Sequence, residues 1–314
     1  MTKWIILVLA PLGALSSKNW ILVWVFLEFS SMMFILLGKN KTSSECLLKY
    51  FLIQTLGSVF IILSMSLKML ASFKSLSNST SLLSSIIIMS MILKAGMVPV
   101  HLWMIQICKS FKSLYLLLFL SIQKLAPLGI LLMSSNIILF SIIMVMNSIV
   151  GTISQLYSLN LNIILTFSSI SHSGWIILSG MNSLEMFMIY FSIYTIIISQ
   201  ILVNFEKSKS KEILSMSNSN STIISFMSLG GLPPLLGFFP KWLSIHYSIQ
   251  KSNMKITCFI LTIFACLNIF IYLRIFSLSI FKSPLQKKSK DTPLSSTSNF
   301  INISPLLFFF SPKL

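Results

Sequence analysis

Apolar residues fill this chain in long runs, and short polar stretches separate the runs at intervals suited to membrane-spanning helices. A helix needs about 20 apolar residues to cross hydrocarbon, and eleven runs reach or approach that length. They lie near 4–17, 20–38, 47–70, 83–108, 113–133, 136–155, 159–180, 184–204, 222–247, 256–281 and 299–311, the first and last being short. The stretches 206–221 and 282–298 are rich in Ser, Lys and Asn, lack apolar periodicity and read as loops. The pattern predicts an all-α polytopic membrane protein of about 11 transmembrane helices, a single domain over 1–314 with little left for a soluble one.

Proline and glycine interrupt the pattern in spans 4 and 9, which predicts broken helices there. Span 9 contains SLGGLPPLLGFFPKW, residues 228–242. Pro233, Pro234 and Pro240 have no N–H to donate, which frees the carbonyls of Leu229, Gly230 and Leu236. Freed carbonyls at membrane depth are tolerated where protein or a watery cavity satisfies them. Lys241 follows the break, and its ammonium is expected to meet water and the Leu236 carbonyl while neighbouring phenylalanines exclude lipid. In span 4, Lys94 precedes Pro99, which releases the Ala95 carbonyl, and His101 lies seven residues on, nearly on the same helix face.

Composition strengthens the membrane reading. Of 314 residues, 55% are hydrophobic and 9% charged, with a mean hydropathy of +0.90. The formal net charge of +17 does not point to nucleic acid, because the lysines are scattered among short loops and form no stripe. They serve as topology signals and as contacts for anionic lipid, cardiolipin included. Lys3, Lys39, Lys41, Lys49, Lys109, Lys112, Lys207, Lys209, Lys211, Lys282, Lys287, Lys288 and Lys290 fall on one side. Lys18, Lys68, Lys74, Lys251, Lys255 and Lys313 fall on the other, a bias of about two to one that puts the N-terminus inside and the C-terminus outside. The chain enters its first apolar run at Trp4 with no Arg-rich leader, so no cleavable presequence is expected.

The chemistry is expected among ionisable residues that lie within the spans. Glu28, Lys94, Lys124 and Lys241 qualify, with His101 and His172 as candidate proton relays and His246 nearer a span end. A lysine at the bilayer centre costs ~3 kcal/mol and must face protein or trapped water. Lys94, Lys124 and Lys241 each lie within five residues of a proline and well inside a span, which favours functional burial over snorkelling. Arg274 sits near the inner end of its span, where it can snorkel. Ser168, Ser169, Ser171 and Ser173 surround His172; serines so placed commonly bond the preceding turn's carbonyl, and clustered here they can also hold water. Cys46, Cys108, Cys258 and Cys266 are scattered without metal-ligand spacing, and no Rossmann fingerprint is present, so the chain is expected to bind no cofactor or metal.

Spans 4 and 9 both combine lysine, proline and histidine and lie five spans apart, which fits two five-helix units. Repeat one would cover about 1–134 and repeat two about 135–281, leaving a C-terminal loop and last helix at 282–314. A repeat with an odd number of spans must be inverted in the membrane, as in many transporters.

Six segments carry a family resemblance. In order they are KYFLIQ (49–54), LKAGMVPVHLW (93–103), IQKLAP (122–127), FSSISHSGW (167–175), SLGGLPPLLGFFPKW (228–242) and LNIFIYLRI (267–275). Together they resemble the subunit 2 family of the mitochondrial NADH:ubiquinone oxidoreductase, respiratory complex I. The resemblance implies an antiporter-like membrane-arm subunit in its short animal form, with eleven helices and the N-terminus in the matrix. It implies that Glu28, Lys94, Lys124 and Lys241 form a charged axis along which protonation of one member biases the next. It further implies that NADH, FMN, iron–sulfur clusters and ubiquinone are handled by partner subunits of a hetero-oligomer in the inner mitochondrial membrane. Two departures stand out: Asn162 and Ile163 replace a basic pair common in the family, and VFLEFSSMM lacks the glycine usual two residues before the glutamate. A stand-alone cation/proton antiporter would share the broken helices, and a non-pumping scaffold would need none of the axis residues.

Overall fold

The computed structural model describes residues 2–39, 42–73, 79–134, 136–208, 220–250 and 254–282, and the short span predicted at 299–311 lies outside them. Among the described residues there are thirteen helices. They are α1 (Thr2–Ser16), α2 (Trp20–Gly38), α3 (Ser44–Phe73), α4 (Ser79–Ala95), α5 (Leu102–Cys108), α6 (Ser113–Leu120), α7 (Ile122–Leu132), α8 (Ile137–Tyr157), α9 (Leu161–Asn182), α10 (Leu184–Ser208), α11 (Asn220–Gly230), α12 (Phe238–Gln250) and α13 (Lys255–Lys282). Helix occupies most of each predicted span before residue 282, and among the described residues seven stretches are long and apolar enough to cross a membrane. The chain divides into two compact units, with the boundary between Phe140 and Ser141.

In the first unit, α7 packs against α1, α2, α4 and α6, and α3 packs against α2, α4 and α5. An aromatic cluster of Phe34, Tyr50, Trp103, Phe111, Tyr115 and Phe119 ties these helices together, with Phe34 and Tyr50 rings 5.0 Å apart. Such tilted and edge-on contacts are each worth about 0.5–1.5 kcal/mol beyond the area they bury. The outer faces keep their apolar side chains exposed: Leu48, Leu52, Leu56 and Val59 line one side of α3.

In the second unit, α9 is the central helix. Its apolar window is 89% buried, against 33–44% for α8, α10 and α13. That burial explains its composition, because a helix walled by protein can carry serines that a lipid-facing helix could not. α8 lies very close to it. A side chain at Gly151 would sit 2.7 Å from the Ser171 backbone nitrogen, and one at Gly174 would sit 2.9 Å from the Met144 carbonyl oxygen. Small residues at such contacts let helix backbones approach within membranes.

The predicted breaks in spans 4 and 9 are both present, and they share one construction. Helix α4 ends at Gly96 (φ 67°) and α11 at Gly231 (φ 87°). In the first, Met97 N–H donates to Ile92 at 3.0 Å and Gly96 N–H to Leu93 at 3.3 Å. In the second, Leu232 N–H donates to Met227 at 3.4 Å and Gly231 N–H to Ser228 at 3.1 Å. This is the Schellman arrangement, which needs a left-handed residue that only glycine adopts without strain. Proline three residues after each glycine, Pro99 and Pro234, then prevents the helix from resuming at once. A further interruption falls in span 5, where a single unbroken helix was expected: Ser121 (φ −105°, ψ −84°) separates α6 from α7. Downstream, Pro127 crowds the Gln123 carbonyl, and Ser121 Oγ takes up the Leu117 carbonyl at 2.6 Å, which eases the chain out of helical geometry there.

The α8–α9 contact gives a stability prediction. Because the atoms facing Gly151 are backbone, Gly151→Val must push the helices apart, at an overpacking cost of about 1–3 kcal/mol. Thermal unfolding of the detergent-purified protein should show a lowered midpoint; an unchanged midpoint would mean that the helices separate freely.

Candidate functional site

Of the ionisable residues singled out from the sequence, the first unit brings Glu28 and Lys94 into direct contact. Lys94 lies in the last turn of α4, with its Nζ 3.3 Å from Glu28 Oε1 on α2. Its side chain is 1% exposed and that of Glu28 18%. The lysine stem passes over Gly57 of α3, where any side chain would meet Lys94 Cγ at 2.7 Å. Charges at this separation attract by about 5 kcal/mol at an effective dielectric of about 20. Desolvation costs several kcal/mol per ion, so the pair is close to balance and its geometry matters more than its net contribution to stability.

The carbonyl left open by the end of α4 has its own partner. Gln54 of α3 donates from Nε2 to the Lys94 carbonyl at 3.1 Å. One turn earlier on α3, Tyr50 donates its hydroxyl to Gln123 Oε1 at 3.2 Å, and Gln123 Nε2 donates to the Ser30 carbonyl of α2 at 3.1 Å. Gln123 immediately precedes Lys124, which is 3% exposed in the first turn of α7 with Cys108 in electrostatic reach. A neutral amide network therefore joins α2, α3 and α7 around the charged pair. Tyr50, Gln54 and Gln123 were not among the expected site residues. The visible signal was their uncharged polar character inside apolar runs, Tyr50 and Gln54 at helical spacing in KYFLIQ and Gln123 beside Lys124 in IQKLAP.

Lys241 behaves differently. It occupies the first turn of α12, is 5% exposed, and donates to the Gly230 carbonyl at 2.7 Å and the Leu229 carbonyl at 3.5 Å. These are the last carbonyls of α11, opened by Pro233 and Pro234 as the sequence predicts. Among the described residues the ammonium bonds these two carbonyls and not the expected one of Leu236. Pro240 explains the difference: it stands in the first turn of α12, where an amide N–H has no intrahelical partner, so it starts a helix and frees no carbonyl of one. A cation at a helix C-terminus gains up to ~2 kcal/mol from the aligned peptide dipoles in partly buried geometry. Set against ~3 kcal/mol for central burial, this leaves the ammonium only lightly held. Among the described residues its hydrogen-bond partners are carbonyls and not a carboxylate.

The two candidate relay histidines part company. His101 does not share a helix face with Lys94, because α4 stops at Ala95 and α5 starts at Leu102. It lies at the N-terminus of α5, with Nδ1 3.3 Å from the Pro99 carbonyl. His172 is buried at mid-α9; its Nδ1 lies 3.1 Å from the Tyr190 hydroxyl on α10, and its ring is 5.2 Å from that of Tyr194. Around it, Ser168, Ser169, Ser171 and Ser173 each donate to the carbonyl three residues back, at 2.6–2.8 Å. Their protons are thus committed to the helix. His246 is exposed and stacks on Trp242, as an interfacial side chain would.

Known proteins share this plan. The family described as NADH:quinone oxidoreductase/Mrp antiporter, transmembrane region, matches residues 17–268. NADH-ubiquinone oxidoreductase chain 2 of Anopheles gambiae is 33% identical over 96% of this chain and 94% of its own length. The protein of the same name from Mus musculus is 32% identical over 90% and 86%. Among solved structures, a chain of respiratory complex I from Thermus thermophilus superposes with a TM-score of 0.79 at 18% identity, over 96% of this chain and 76% of that one. A chain of the Mrp complex from Dietzia sp. gives 0.74 at 14% identity, over 91% of this chain and 60% of that one. The structural matches speak to the fold alone. The sequence matches go further: this chain belongs to the NADH-ubiquinone oxidoreductase chain 2 family, within the wider NADH:quinone oxidoreductase/Mrp antiporter group.

Proposed function

We propose that this chain is a core membrane-arm subunit of respiratory complex I, where it contributes to proton translocation coupled to electron transfer from NADH to ubiquinone in other subunits. The observation that carries this reading is the lysine at each broken helix. Lys94 and Lys241 are buried at the open carbonyl ends of α4 and α11, one balanced by a carboxylate and the other by carbonyls. Such ammonium groups gain or lose a proton in response to neighbouring charge, because desolvation and local attraction nearly cancel. The chain itself is read as binding no NADH, FMN, iron–sulfur cluster or quinone.

The same reading places the protein in the inner mitochondrial membrane, with the N-terminus in the matrix and the C-terminus in the intermembrane space, in keeping with the lysine bias. Its partners are other membrane-arm subunits, and anionic lipid such as cardiolipin meets its loop lysines. The matched glycine-and-proline breaks support two inverted five-helix repeats. A stand-alone cation/proton antiporter shares these features, but the named relatives at about one-third identity belong to the oxidoreductase.

Assembly provides the first test. Blue-native electrophoresis of native membranes should find the chain in a particle many times its 35.4 kDa mass, migrating with NADH dehydrogenase activity. A monomer that transports ions alone would favour the antiporter.

Glu28 provides the second. Glu28→Gln keeps shape and an acceptor for Lys94 but removes the charge. Assembly should persist while coupled turnover falls about tenfold or more, a modest share of the roughly 10²–10⁴-fold contribution of a positioned proton-transfer group. Wild-type pumping and turnover would make the pair purely structural.

Lys241 separates relay from fixed charge. Lys241→Met deletes the titratable group at similar bulk, and Lys241→Arg keeps the charge but resists deprotonation. Both should impair coupled turnover in an assembled enzyme. Normal pumping by the arginine variant would show that a permanent positive charge suffices and refute the relay role.

A further inference from the structure

Three helices of the second unit turn polar stripes toward one another beside a surface cavity. On α8 the stripe is Asn147, Ser148, Thr152 and Gln155; on α9 it is Ser168 and Ser171; on α13 it is Asn268 and Tyr272. The residues follow helical spacing, so each set shares a face, and all of them are 3% exposed or less. Cross-contacts confirm that the faces meet. Gln155 Nε2 lies 3.3 Å from the Ile164 carbonyl and 3.4 Å from the Tyr272 hydroxyl, and Asn268 Nδ2 lies 3.5 Å from Ser171 Oγ. Ser168 also stands within hydrogen-bonding reach of Tyr272. These contacts are long for amides in a packed interior. In addition, Gln155 Oε1 and Asn268 Oδ1 are buried and have no hydrogen-bond partner among the described residues. A buried acceptor without a donor costs about 1–3 kcal/mol, and native proteins commonly meet that cost with internal water.

Room for water is present where the stripe reaches the surface. A cavity of about 600 Å³ opens at the turn between α8 and α9, beside Ser154, Ser158, Asn160, Ile163 and Phe167. Ser158 also borders a second, narrow space of about 10 Å³ lined by Gln155 and Arg274. That is close to the minimum of roughly 10–15 Å³ that one water requires. Arg274 donates to the Leu156 carbonyl at 3.0 Å and so closes the end of α8 over this space. At the inner end, the Tyr272 ring lies against Gly230, where a side chain would meet its Cδ2 at 3.1 Å. The carbonyl of that same glycine receives the Lys241 ammonium at 2.7 Å.

We propose that Gln155 and Tyr272 line a narrow entry for water and hydronium, running from the α8–α9 cavity to the helix end that holds Lys241. Gln155 is a positioning residue: its free carbonyl oxygen accepts from a water in the small space, while its amide nitrogen faces Tyr272. A phenolic hydroxyl both donates and accepts, so Tyr272 continues the line where an amide could not, with Ser168 beside it. The entry lies on the side bearing the larger share of loop lysines, the side from which protons are taken up if the chain pumps as proposed above, and its role as a proton route rests on that reading.

The test uses the intact complex, with millisecond X-ray radiolysis in ¹⁸O-labelled water and mass spectrometry of the tyrosines. Tyr272 is 1% exposed and Tyr157, at the cavity mouth, 83%. Of these two, a dry interior would label only Tyr157. The proposal expects label on both in the wild type, and loss of the Tyr272 label in Gln155→Met, with Tyr157 unchanged and fewer protons pumped per NADH. An unlabelled Tyr272 in the wild type overturns it without need of a variant. Equal Tyr272 labelling in wild type and variant overturns the role of Gln155, and loss of label with normal pumping overturns the entry as a proton route. Failure of the parent reading shows elsewhere, as a chain that does not migrate with NADH dehydrogenase activity whatever the labelling.

Discussion

An ammonium group held inside a hydrocarbon layer has no bulk water to solvate it, and most of the organisation of this protein answers that constraint. The two solutions differ. Lys94 faces a carboxylate at 3.3 Å, and Lys241 faces the carbonyl end of a helix at 2.7 Å. The second solution needs a helix that stops short, because within an uninterrupted helix the carbonyls are spent on its own amides. The glycine that ends the helix and the proline that keeps it from resuming are therefore as much a part of the site as the lysines.

The two breaks also divide their work differently. In the first unit the lysine belongs to the turn before the break, and its carbonyl is taken by a neutral amide from Gln54. In the second the lysine comes from the helix after the break and closes the preceding helix itself. One ammonium is tied to a single acidic partner; the other is held by dipoles that cannot be protonated away. The same backbone device thus stands beside an ion pair in the first unit and a carbonyl-held cation in the second.

Polar side chains elsewhere follow the distinction between lipid-facing and protein-facing helices. Helices α3, α8 and α13 keep leucine, isoleucine and phenylalanine on the outside. Helix α9, walled in on its sides, accommodates five serines and His172. The serines spend their protons on the preceding turn, which lets a polar sequence remain helical.

The sequence by itself determined the elements, because in a membrane the backbone must close its own hydrogen bonds and the apolar run length then sets the helix. The all-helical plan, the breaks at Gly96 and Gly231, the opened carbonyls of Leu229 and Gly230, and the burial of Lys94, Lys124 and Lys241 were all legible. The reasons are local: proline lacks a donor, glycine alone tolerates the left-handed turn, and charge in an apolar run is rare. What only the tertiary structure decided was pairing. That Lys94 meets Glu28, that Lys241 chooses Gly230 over Leu236, that His101 turns away from Lys94, and that Gln123 joins α2 to α3 all depend on which faces of distant helices meet. Helical periodicity carries no information across a break, and the partner of a buried polar atom is set by packing between segments far apart in the chain.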